Sequence, residues 1–582
     1  MTIYAGYFNL EPHPAAAAAG LPAQLEGLLR AAGADQVEHL VRGRLHVAFY
    51  DSGCFPDSGV AESGDKLCLL AGDPVFTAAA KPRDAQAAAL AEAAGEPERL
   101  LAQCAGTFSL LAYRAEDERL LLATDPLGSR PVYYAAQRGR LYFSSCLSVL
   151  EGLATLAKSL SAYGLFEHLS FGFNLDGRTP YREIRVLRQG EYLAAAAGFV
   201  TRFYHRWDGL APVEWEYPQR VRRVYELFRQ AVERRSWRSG QAVAMLSGGL
   251  DSRLNAAVLH QLGKRVVAIN CAPAGLRFHD EVYAERVAAA LGCDFVRVGI
   301  PPGPIEWGRL TKAGLDQIPA PLDRGAARLV FSGDGGSVGL GLVYYHEKTI
   351  PLLRQGRFDD ALELLLQPCV RLPERYLQRG AQTMASRRIR ETVRALAEAR
   401  AAEPGRRLHL FLMENDQRCH LHGYFEHIGG LGHDLHTPFY DADLLRFVLA
   451  CPVDDFARHR LYHDLLAFLP EALARIPWQT YPGHLPCPVV ELEEAAESQF
   501  SERGRKSLQA QFDRKAPPAL RMALSRTFPS PPFRRLPVLA TALAAAVTGT
   551  SRFRYVHRAA ARAARFFAIA EGRFLWDLES ES

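Results

Sequence analysis

The chain up to about residue 200 alternates apolar and polar positions with a period of two, between turn-forming residues. The segments with this pattern, which we expect to be strands of hairpins, are RLHVAFYDSG, FSLLAYRAEDERLLLATDPLGSRPVYYA and GRLYFSSC. Two stretches have helical periodicity instead, AAAAAGLPAQLEGLLRAAG and AAALAEAAGEPERLLAQ. The pattern therefore predicts an α+β layered domain over residues 1–207.

A stretch with prolines and a glycine, WDGLAPVEWEYPQ, interrupts this pattern and predicts a linker over residues 208–219. From residue 220 helical patterns alternate with short apolar runs, for example the helix RVRRVYELFRQAVERR before the strand AVAML. Because this alternation is typical of parallel βαβ units, we expect a doubly wound α/β domain over residues 220–500 with a mainly helical second half. Residues 501–582 are predicted to form a helical extension.

Composition and charge narrow the class of protein only a little. A chain of 582 residues, 48% hydrophobic and 23% charged, is long enough for two or more globular domains. The net charge of +5 indicates no nucleic-acid partner, and no apolar run is long enough to insert into a membrane. The ten cysteines form no CxxC pair and a signal sequence is lacking, so we expect reduced thiols and a cytoplasmic location. The excess of Lys and Arg after residue 500 favours a solvated basic face over a site for an anionic partner.

The segment VAMLSGGLDSRLNAAVL contains the strongest candidate for chemistry. Its glycines lie where a strand ends and a helix begins, so that backbone N–H groups and the helix dipole can receive an anion. Ser247 and Ser252 add hydroxyl donors, and Asp251 could hold a divalent cation on phosphates. A tight turn alone would explain the glycines but not the Ser, Asp and Ser around them. The loop lacks the GxxxxGK[ST] pattern. The predicted nucleotide-binding residues are Leu246, Ser247, Gly248, Gly249, Leu250, Asp251 and Ser252.

The motif SGGLDS resembles the pyrophosphate loop of ATP pyrophosphatases that adenylate carboxylates, and four further segments resemble asparagine synthetases in the same order. RLLLATDPLGSRPVYYA with LYFSSCLSVL, and FGFNLDGRTPYREIRVLRQGEYL, are similar to the end of their glutaminase domain. HDEVYAERVAAALG and HTPFYDADLLRFVLACP are similar to segments of their synthetase domain. The resemblance implies an N-terminal Ntn-hydrolase-like sandwich followed by an adenine-nucleotide α-hydrolase-like (PP-loop) synthetase domain that uses ATP and Mg²⁺.

The resemblance also assigns roles to residues outside the loop. Ser332 and Gly333 are implied in ATP binding, and Asp251 and Asp334 in metal binding. The implied substrate-binding residues are Asp280, Glu281, Tyr344 and Tyr481. For Tyr481, plain packing of the aromatic ring is the alternative.

The chain departs from the family at its N-terminus, where glutamine-using members have a cysteine after methionine removal. Thr2 stands at that position here, and the glutamine-gripping RGPD and FNGEIYN segments are missing. We therefore predict a degenerate glutaminase domain retained as scaffold. A Thr2 nucleophile is the less favoured alternative.

Two further departures concern the synthetase domain. FSGDGGSVGLGLVYY replaces the family's SGEGSDE, so that Asp334 takes the glutamate position and Ser337 the aspartate position. Asp334 is predicted to bind magnesium or to act as general base, with an ordinary loop-capping role as the alternative. ARIPWQTYPGHLPCP lacks the family's lysine and retains Arg475 and His484 as polar groups on a loop made rigid by prolines. The predicted catalytic residues are Asp334, Arg475 and His484.

The run CHLHGYFEHIGGLGHDLH is rich in histidine. A zinc site is disfavoured, because no HExxH or Cys/His finger spacing is present and residues two apart face different sides of a helix. A position beside the acyl-adenylate, or ordinary surface and core histidines, are the remaining readings. The residues concerned are His420, His422, His427, His433 and His436.

An ATP site joined to a glutaminase domain without its nucleophile implies a substrate that carries its own amine. Among asparagine synthetase-like proteins, the proline-rich loop and the basic extension are most similar to lasso peptide cyclases. This resemblance implies formation of a macrolactam on a precursor peptide, with a leader-binding protein and a leader peptidase as partners. The alternatives are a β-lactam synthetase-like or ammonia-dependent asparagine-type ligase, and a degenerate module that binds peptide without catalysis.

Overall fold

The computed structural model describes residues 2–11, 20–77, 81–301, 305–318, 322–323, 326, 328–378, 380–398, 401–427, 431–489, 498, 501, 504, 506–507, 519–548 and 552–578. All ten cysteines lie in these ranges and none forms a disulfide. In the described part of the chain, no helix has both the length and the apolar character needed to cross a bilayer.

The N-terminal region is built from two six-stranded antiparallel sheets that pack face to face. One sheet has the order β11-β8-β9-β1-β3-β2 and the other the order β13-β12-β7-β6-β5-β4. The strands are β1 Thr2–Asn9, β2 Glu38–Arg42, β3 Leu45–Asp51, β4 Val60–Ser63, β5 Lys66–Asp73, β6 Thr107–Arg114, β7 Arg119–Thr124, β8 Tyr133–Gln137, β9 Arg140–Ser144, β10 Leu160–Ser161, β11 Arg185–Val186, β12 Glu191–Ala195 and β13 Phe199–Phe203.

Alternation along the strands explains why helices cover both outer faces of this sandwich. On β1, Tyr4 and Phe8 point into the core between the sheets, whereas Ile3, Ala5 and Tyr7 point to the helical layer. The helices of this region are α1 Leu21–Ala31, α2 Arg83–Leu90, α3 Pro97–Leu101, α4 Leu147–Gly152 and α5 Ala162–Phe171, with a 3₁₀ turn at Ala91–Ala94. The four-layer arrangement agrees with the predicted α+β sandwich. Part of the first predicted helix, residues 15–19, lies outside the described residues.

The second region contains a five-stranded parallel sheet in the order β16-β15-β14-β17-β18. Its strands are β14 Gln241–Met245, β15 Arg265–Pro273, β16 Asp294–Ile300, β17 Leu329–Phe331 and β18 Asp434–His436. Helix α6 Tyr217–Ser236 precedes the sheet, and the crossover helices are α7 Leu250–Gln261, α8 His279–Leu291 and α9 Trp307–Asp316. The predicted βαβ alternation is present, and α6 begins inside the segment predicted as a linker.

The rest of the chain is mainly helical. Its helices are α10 Gly336–Gly339, α11 Thr349–Arg354, α12 Phe358–Leu366, α13 Ala381–Glu398, α14 Arg407–Phe411, α15 Arg418–His420, α16 His422–His427, α17 Ala442–Ala450, α18 Arg460–Leu465, α19 Glu471–Ala474, α20 Ala519–Leu524, α21 Arg535–Thr548 and α22 Arg554–Ile569. A π-helical turn, Leu412–Gln417, joins α14 to α15. Short 3₁₀ turns occupy Glu374–Tyr376, Pro404–Arg406, Pro438–Tyr440, Val453–Asp455, Ala457–His459 and Leu466–Phe468, and a last strand is β19 Phe574–Leu575.

The two regions share one interior. Arg130 of the sandwich pairs with Asp434 of β18 at 2.6 Å, and both side chains are buried. The C-terminal extension also returns to the sandwich, since β19 pairs with β10 and Asp577 accepts a 2.6 Å hydrogen bond from Ser161. The parallel sheet is therefore held against a rigid antiparallel support.

Candidate active site

A cavity of about 540 Å³ opens at the carboxyl edge of the parallel sheet. It lies where the loops after β14 and β17 diverge, which is the point at which the strand order reverses. In open α/β sheets, ligands bind in this crevice. Of the predicted site residues, those that line the cavity are Leu246, Ser247, Asp251, Ser252, Asp280, Glu281, Ser332, Gly333, Asp334, Tyr344 and Tyr481.

The loop after β14 is shaped by its own hydroxyl and glycine residues. Ser252 Oγ accepts a 2.9 Å hydrogen bond from the Ser247 N–H, which fixes the turn into α7. The Gly248 N–H donates to the Asp280 carboxylate at 3.0 Å. A Cβ on Gly248 would lie 2.7 Å from the Asp280 Cα, so only glycine allows α8 to approach so closely. Gly248, Gly249 and Leu250 belong to this loop without lining the cavity.

The amino end of α7 is suited to an anion. Gly249 is its N-cap residue and provides no side-chain oxygen to the first N–H groups of the helix. Uncapped N–H groups and the helix dipole favour negative charge at such an end, and α7 is twelve residues long. The hydrogen bond from Gly248 to the Asp280 carboxylate shows that the loop already receives an anion.

Asp251 is the buried carboxylate beside this loop. Its Oδ2 accepts hydrogen bonds from the N–H and Oγ of Ser337, at 3.1 and 2.8 Å. Its Oδ1 is buried and accepts no hydrogen bond of ordinary geometry among the described residues, although the Tyr462 hydroxyl lies near this carboxylate. Burial raises the pKa of Asp251 to about 6, against the hydrogen bonds from Tyr462 and Ser337. A Cβ on Gly336 would lie 2.7 Å from Oδ1 and 2.3 Å from the Tyr462 hydroxyl, so only glycine allows Asp251 and Tyr462 to pack here.

These features of Asp251 fit a magnesium ion held together with a bound phosphate. Mg²⁺ is commonly bound by one or two carboxylates, with substrate phosphates and water as the other ligands. Among the described residues, no group of three or more His, Cys, Asp or Glu side chains could hold a metal ion alone. The described side chains would therefore not complete the coordination of the ion by themselves, and the nucleotide would have to supply further ligands.

Asp334 is engaged by neighbouring side chains. Its Oδ1 lies 3.1 Å from Nε2 of His420, and Oδ2 accepts a hydrogen bond from the Ser332 hydroxyl. The hydrogen bond with Asp334 raises the pKa of His420, and the same contact contributes to a lowered pKa of Asp334. The structure thus places Asp334, which was predicted to be a metal ligand or a base, at the cavity. Its carboxylate is already paired with His420.

One end of the cavity is apolar. Phe278, Ile300, Ile305 and Trp307 line it beyond the ends of β15 and β16. A flat aromatic base can be buried there while its phosphates extend towards α7. The sequence interpretation missed these residues, although the rule that ligands bind at the carboxyl ends of parallel strands could have indicated them.

The other end is polar and aromatic. Burial raises the pKa of both Tyr344 and Tyr481 to about 12, so both phenols are protonated at neutral pH. Gln417 and His420 enter from the π-helical turn and α15. Gln417 was also missed, because a π-helical turn at a functional site has no simple sequence pattern.

The two remaining predicted catalytic residues lie elsewhere. Arg475 pairs with Glu471 at the surface, where its side chain is 77% exposed, and it does not line the cavity. His484 is buried behind Tyr481, with its Nδ1 2.7 Å from Nδ1 of His459. The structure does not bring either side chain into the cavity.

The histidine-rich segment is divided among different environments. His420 reaches the cavity, whereas His422 Nε2 contacts the Gly128 carbonyl at 3.0 Å. His433 is buried against the Tyr424 hydroxyl at 2.6 Å, and His436 is buried in the core. The side chain of His427 lies outside the described residues.

The environment of Thr2 is the second feature of functional interest. Thr2 is fully buried on β1, and its Oγ1 accepts a 2.7 Å hydrogen bond from Arg83 and donates to Asp51 at 3.1 Å. The Arg83 guanidinium also pairs with Asp51 at 2.9 Å and donates to the Leu70 carbonyl at 2.6 Å. The hydroxyl is thus enclosed by the ion pair of the buried Arg83 with the partly buried Asp51.

Comparison with known proteins matches both regions in sequence order. Residues 87–207 match the glutamine amidotransferase domain family, and residues 223–303 match the asparagine synthase family. Asparagine synthetase [glutamine-hydrolyzing] 1 of Bacillus subtilis (strain 168) is 23% identical over 209 residues, which are 35% of this chain and 32% of the relative. The match thus spans about a third of the curated relative.

Solved structures give a weaker likeness. Glutamine phosphoribosylpyrophosphate amidotransferase from B. subtilis, complexed with ADP and GMP, is 11% identical with a TM-score of 0.25, and the match covers 57% of this chain and 81% of that one. A structure described as the allosteric regulatory enzyme of purine biosynthesis has the same identity and TM-score, covering 53% and 82%.

The order of the two structural regions agrees with the order of the two family matches. An antiparallel sandwich with an amidotransferase-type match precedes a parallel α/β layer with a phosphate-type loop and a synthase-type match. Over these two segments, and in this order, the chain is similar to asparagine synthetases.

Proposed function

We propose that this protein is an ATP-dependent amide ligase that releases AMP and pyrophosphate and closes a macrolactam on a precursor peptide. An Asp or Glu side chain of the peptide would be adenylated, and the N-terminal amine of the same peptide would attack it. The cavity volume of about 540 Å³ is adequate for a nucleotide and a reacting carboxylate.

The residues around the cavity divide the work of binding ATP. The apolar end, with Phe278 and Trp307, would bury the base, and the amino end of α7 would receive the phosphates. Asp251 would hold Mg²⁺ through Oδ1, and the ion supplies charge neutralisation at the phosphates when bound.

The polar end would receive the reacting carboxylate. Among the lining residues in the described part of the chain, His420 is the side chain that can carry a positive charge, since Arg and Lys do not line the cavity. Its ion pair with Asp334 favours the protonated ring. We infer that His420 stabilises the negative charge that develops on the acyl oxygen, the role that the resemblance gives to the missing lysine.

The burial of Thr2 is the observation that supports a substrate with its own amine. A nucleophilic hydroxyl needs a base and access to the substrate. Thr2 instead is fully buried and bonded to Arg83 and Asp51. Ammonia from glutamine is then not supplied, and an amine on the acylated molecule itself gains the advantage of proximity. A leader-binding protein and a leader peptidase are the partners that such a substrate would require.

The experiment is a product assay with three substrate sets. Pyrophosphate and AMP should appear with a precursor peptide that has a free N-terminal amine, together with loss of one water from the peptide mass. Free aspartate with ammonia, and aspartate with glutamine, should give neither product. Turnover with aspartate and ammonia would replace the proposal by an asparagine-type ligase, and ADP with phosphate would exclude adenylation.

A further inference from the structure

Two buried histidines face each other immediately behind the polar end of the cavity. His459 and His484 are 5% and 8% exposed, and their Nδ1 atoms are 2.7 Å apart. The second nitrogen of His484 lies 3.3 Å from the Val343 carbonyl oxygen. The pair therefore joins the start of α18, the proline-rich loop at residues 478–488 and the segment that follows α10.

Hydrogen-bond chemistry fixes where the protons are. Burial lowers the pKa of both rings, to about 3 for His459, so both are neutral at neutral pH. The Val343 carbonyl can only accept, so His484 has its proton on Nε2 and a bare Nδ1. His459 must then donate from Nδ1, which leaves its Nε2 unprotonated. That atom is buried without a partner among the described residues.

The ring of His459 is held by close packing on both sides. A Cβ on Gly341 would lie 2.4 Å from Nε2 of His459, so glycine is required there. On the other side, the Tyr481 ring stacks on His459 with centroids 5.6 Å apart and planes 10° apart. Arg458 and His459 have left-handed backbone angles, with φ of 55° and 66°. Such angles cost energy in residues other than glycine and persist where the surroundings impose them.

The loop that carries Tyr481 and His484 is also attached to the phosphate loop. The Gln479 N–H donates to the Gly248 carbonyl at 3.1 Å. Arg253 of α7 donates to the carbonyls of Ile476 and Pro477 at 2.7 and 2.6 Å. The histidine pair is thus the attachment at the far end of a loop whose near end is fixed to α7.

We propose that His459 and His484 are a positioning pair that sets Tyr481 against the polar end of the cavity for the acyl substrate. This inference rests on the proposed function for the identity of that substrate. His484 does not touch the reacting atoms in this arrangement. It acts through His459, whose ring provides the surface on which Tyr481 stacks.

Substitutions at His484 separate hydrogen bonding from bulk. His484→Asn retains an acceptor near the position of Nδ1, whereas His484→Leu retains only size. We expect kcat/KM for the carboxylate substrate to fall at least about 10-fold in His484→Leu and to stay within about 3-fold in His484→Asn. The dissociation constant of ATP should change less than about 2-fold in both variants, because Ser252 and Asp280 hold the phosphate loop in addition to its contact with Gln479. Equal losses in both variants would overturn the proposal.

A glycine pair provides the matched test from the opposite side. Gly341→Ala would push the His459 ring aside, whereas a Cβ on Gly339 meets nothing closer than 3.8 Å. Gly341→Ala should lower kcat/KM as His484→Leu does, and Gly339→Ala should leave kcat/KM at the value of the parent protein. Equal values of kcat/KM in the two glycine variants would contradict a role for the His459 ring.

Spectroscopy on the unliganded protein decides the inference independently of any turnover. Nitrogen-15 spectra of histidine-labelled protein should show His459 with its proton on Nδ1 and His484 with its proton on Nε2. Fluorotyrosine placed at position 481 should give one narrow fluorine resonance in the parent protein and a shifted or broadened one in His484→Leu. A proton on Nε2 of His459, or an unchanged fluorine signal, overturns the pair. If no carboxylate supports pyrophosphate release, the proposed function fails while these spectra still answer the structural question.

Discussion

The pocket around Thr2 and the cavity at the edge of the parallel sheet differ in whether the chain itself satisfies the polar groups of the site. At Thr2 an arginine of the chain itself fills the space and satisfies the hydroxyl, the Asp51 carboxylate and a backbone carbonyl. At the cavity, Oδ1 of Asp251 is buried and accepts no hydrogen bond of ordinary geometry among the described residues, and no cation of the chain pairs with this carboxylate there. One site is complete without substrate and the other is incomplete.

This difference has an energetic meaning. The ion pair lowers the pKa of Asp51 to about 2, although burial opposes the charge, so the folded protein favours the charged form. Burial raises the pKa of Asp251 to about 6, so the folded protein disfavours its charge. A carboxylate that is costly in the free protein gains most from a cation, which is why we assign binding to the second site and a structural role to the first.

The largest expected effect is the loss of activity in Asp251→Asn. The substitution removes the negative charge that would hold Mg²⁺ on the phosphates, so formation of AMP and pyrophosphate should fall more than about 100-fold. Asp316→Asn, which changes an aspartate that is 61% exposed and paired with Lys312, is the control and should remain active. Near-parent turnover in Asp251→Asn would show that the phosphates bind elsewhere.

Removing Arg83 from the pocket around Thr2 should affect stability rather than catalysis. Arg83→Met leaves the partly buried Asp51 without its cation and removes the buried hydrogen bonds of the guanidinium, so the free energy of unfolding should fall by roughly 3 kcal/mol in denaturant titrations. Arg99→Met removes an ion pair whose side chains are both more than half exposed, and should change it by less than about 0.5 kcal/mol. Glutaminase activity that appears in Arg83→Met would mean that the pocket is blocked rather than degenerate.

The raised pKa of Asp251 predicts a pH-dependent cost of folding in the metal-free protein. Between about pH 4 and 6 the folded state binds the proton more tightly than the unfolded state, so stability falls as pH rises and stays low above pH 6. The contribution is roughly 3 kcal/mol for a shift of about two pKa units. The unfolding free energies of parent and Asp251→Asn, compared with EDTA at pH 4 and pH 8, should diverge by this amount in favour of the variant. A constant difference across this range would contradict the assignment.

The smallest effect is expected for Thr2→Ala. The side chain contributes two hydrogen bonds to a pocket that retains the Arg83–Asp51 pair, so stability should fall by about 1 kcal/mol. ATP-dependent ligation should be unchanged, because Thr2 does not line the cavity. Glutamate release from glutamine that disappears in this variant would restore a glutamine-fed enzyme.

The two sites could not be predicted equally well from the sequence. The phosphate loop is local, since its serines, glycines and aspartate follow one strand and begin one helix, and strand–helix alternation places that loop at the sheet edge. The pocket around Thr2 depends on Arg83, which is 81 positions away, and nothing in the pattern near either residue indicates their contact. The absence of the family's cysteine indicated a lost nucleophile, but not what replaced it.

The same reasoning explains why two predicted catalytic residues lie away from the cavity. Arg475 and His484 were predicted as catalytic because they remain on a loop that lacks a lysine, yet a loop sequence does not determine which side of the loop faces the cavity. His484 turns to His459, 25 positions before it, and Arg475 turns to solvent. The strands and helices of the parallel layer were predicted well because their hydrophobic period is local.

The measurement that tests the central claim most directly is one incubation with ATP, Mg²⁺, amide-labelled glutamine and a precursor peptide with a free amine. The account predicts AMP and pyrophosphate, a peptide lighter by one water and no nitrogen label in it, and glutamine left intact. Labelled nitrogen in the product, or glutamate formed in step with AMP, would show that the pocket at Thr2 is active and would contradict the account.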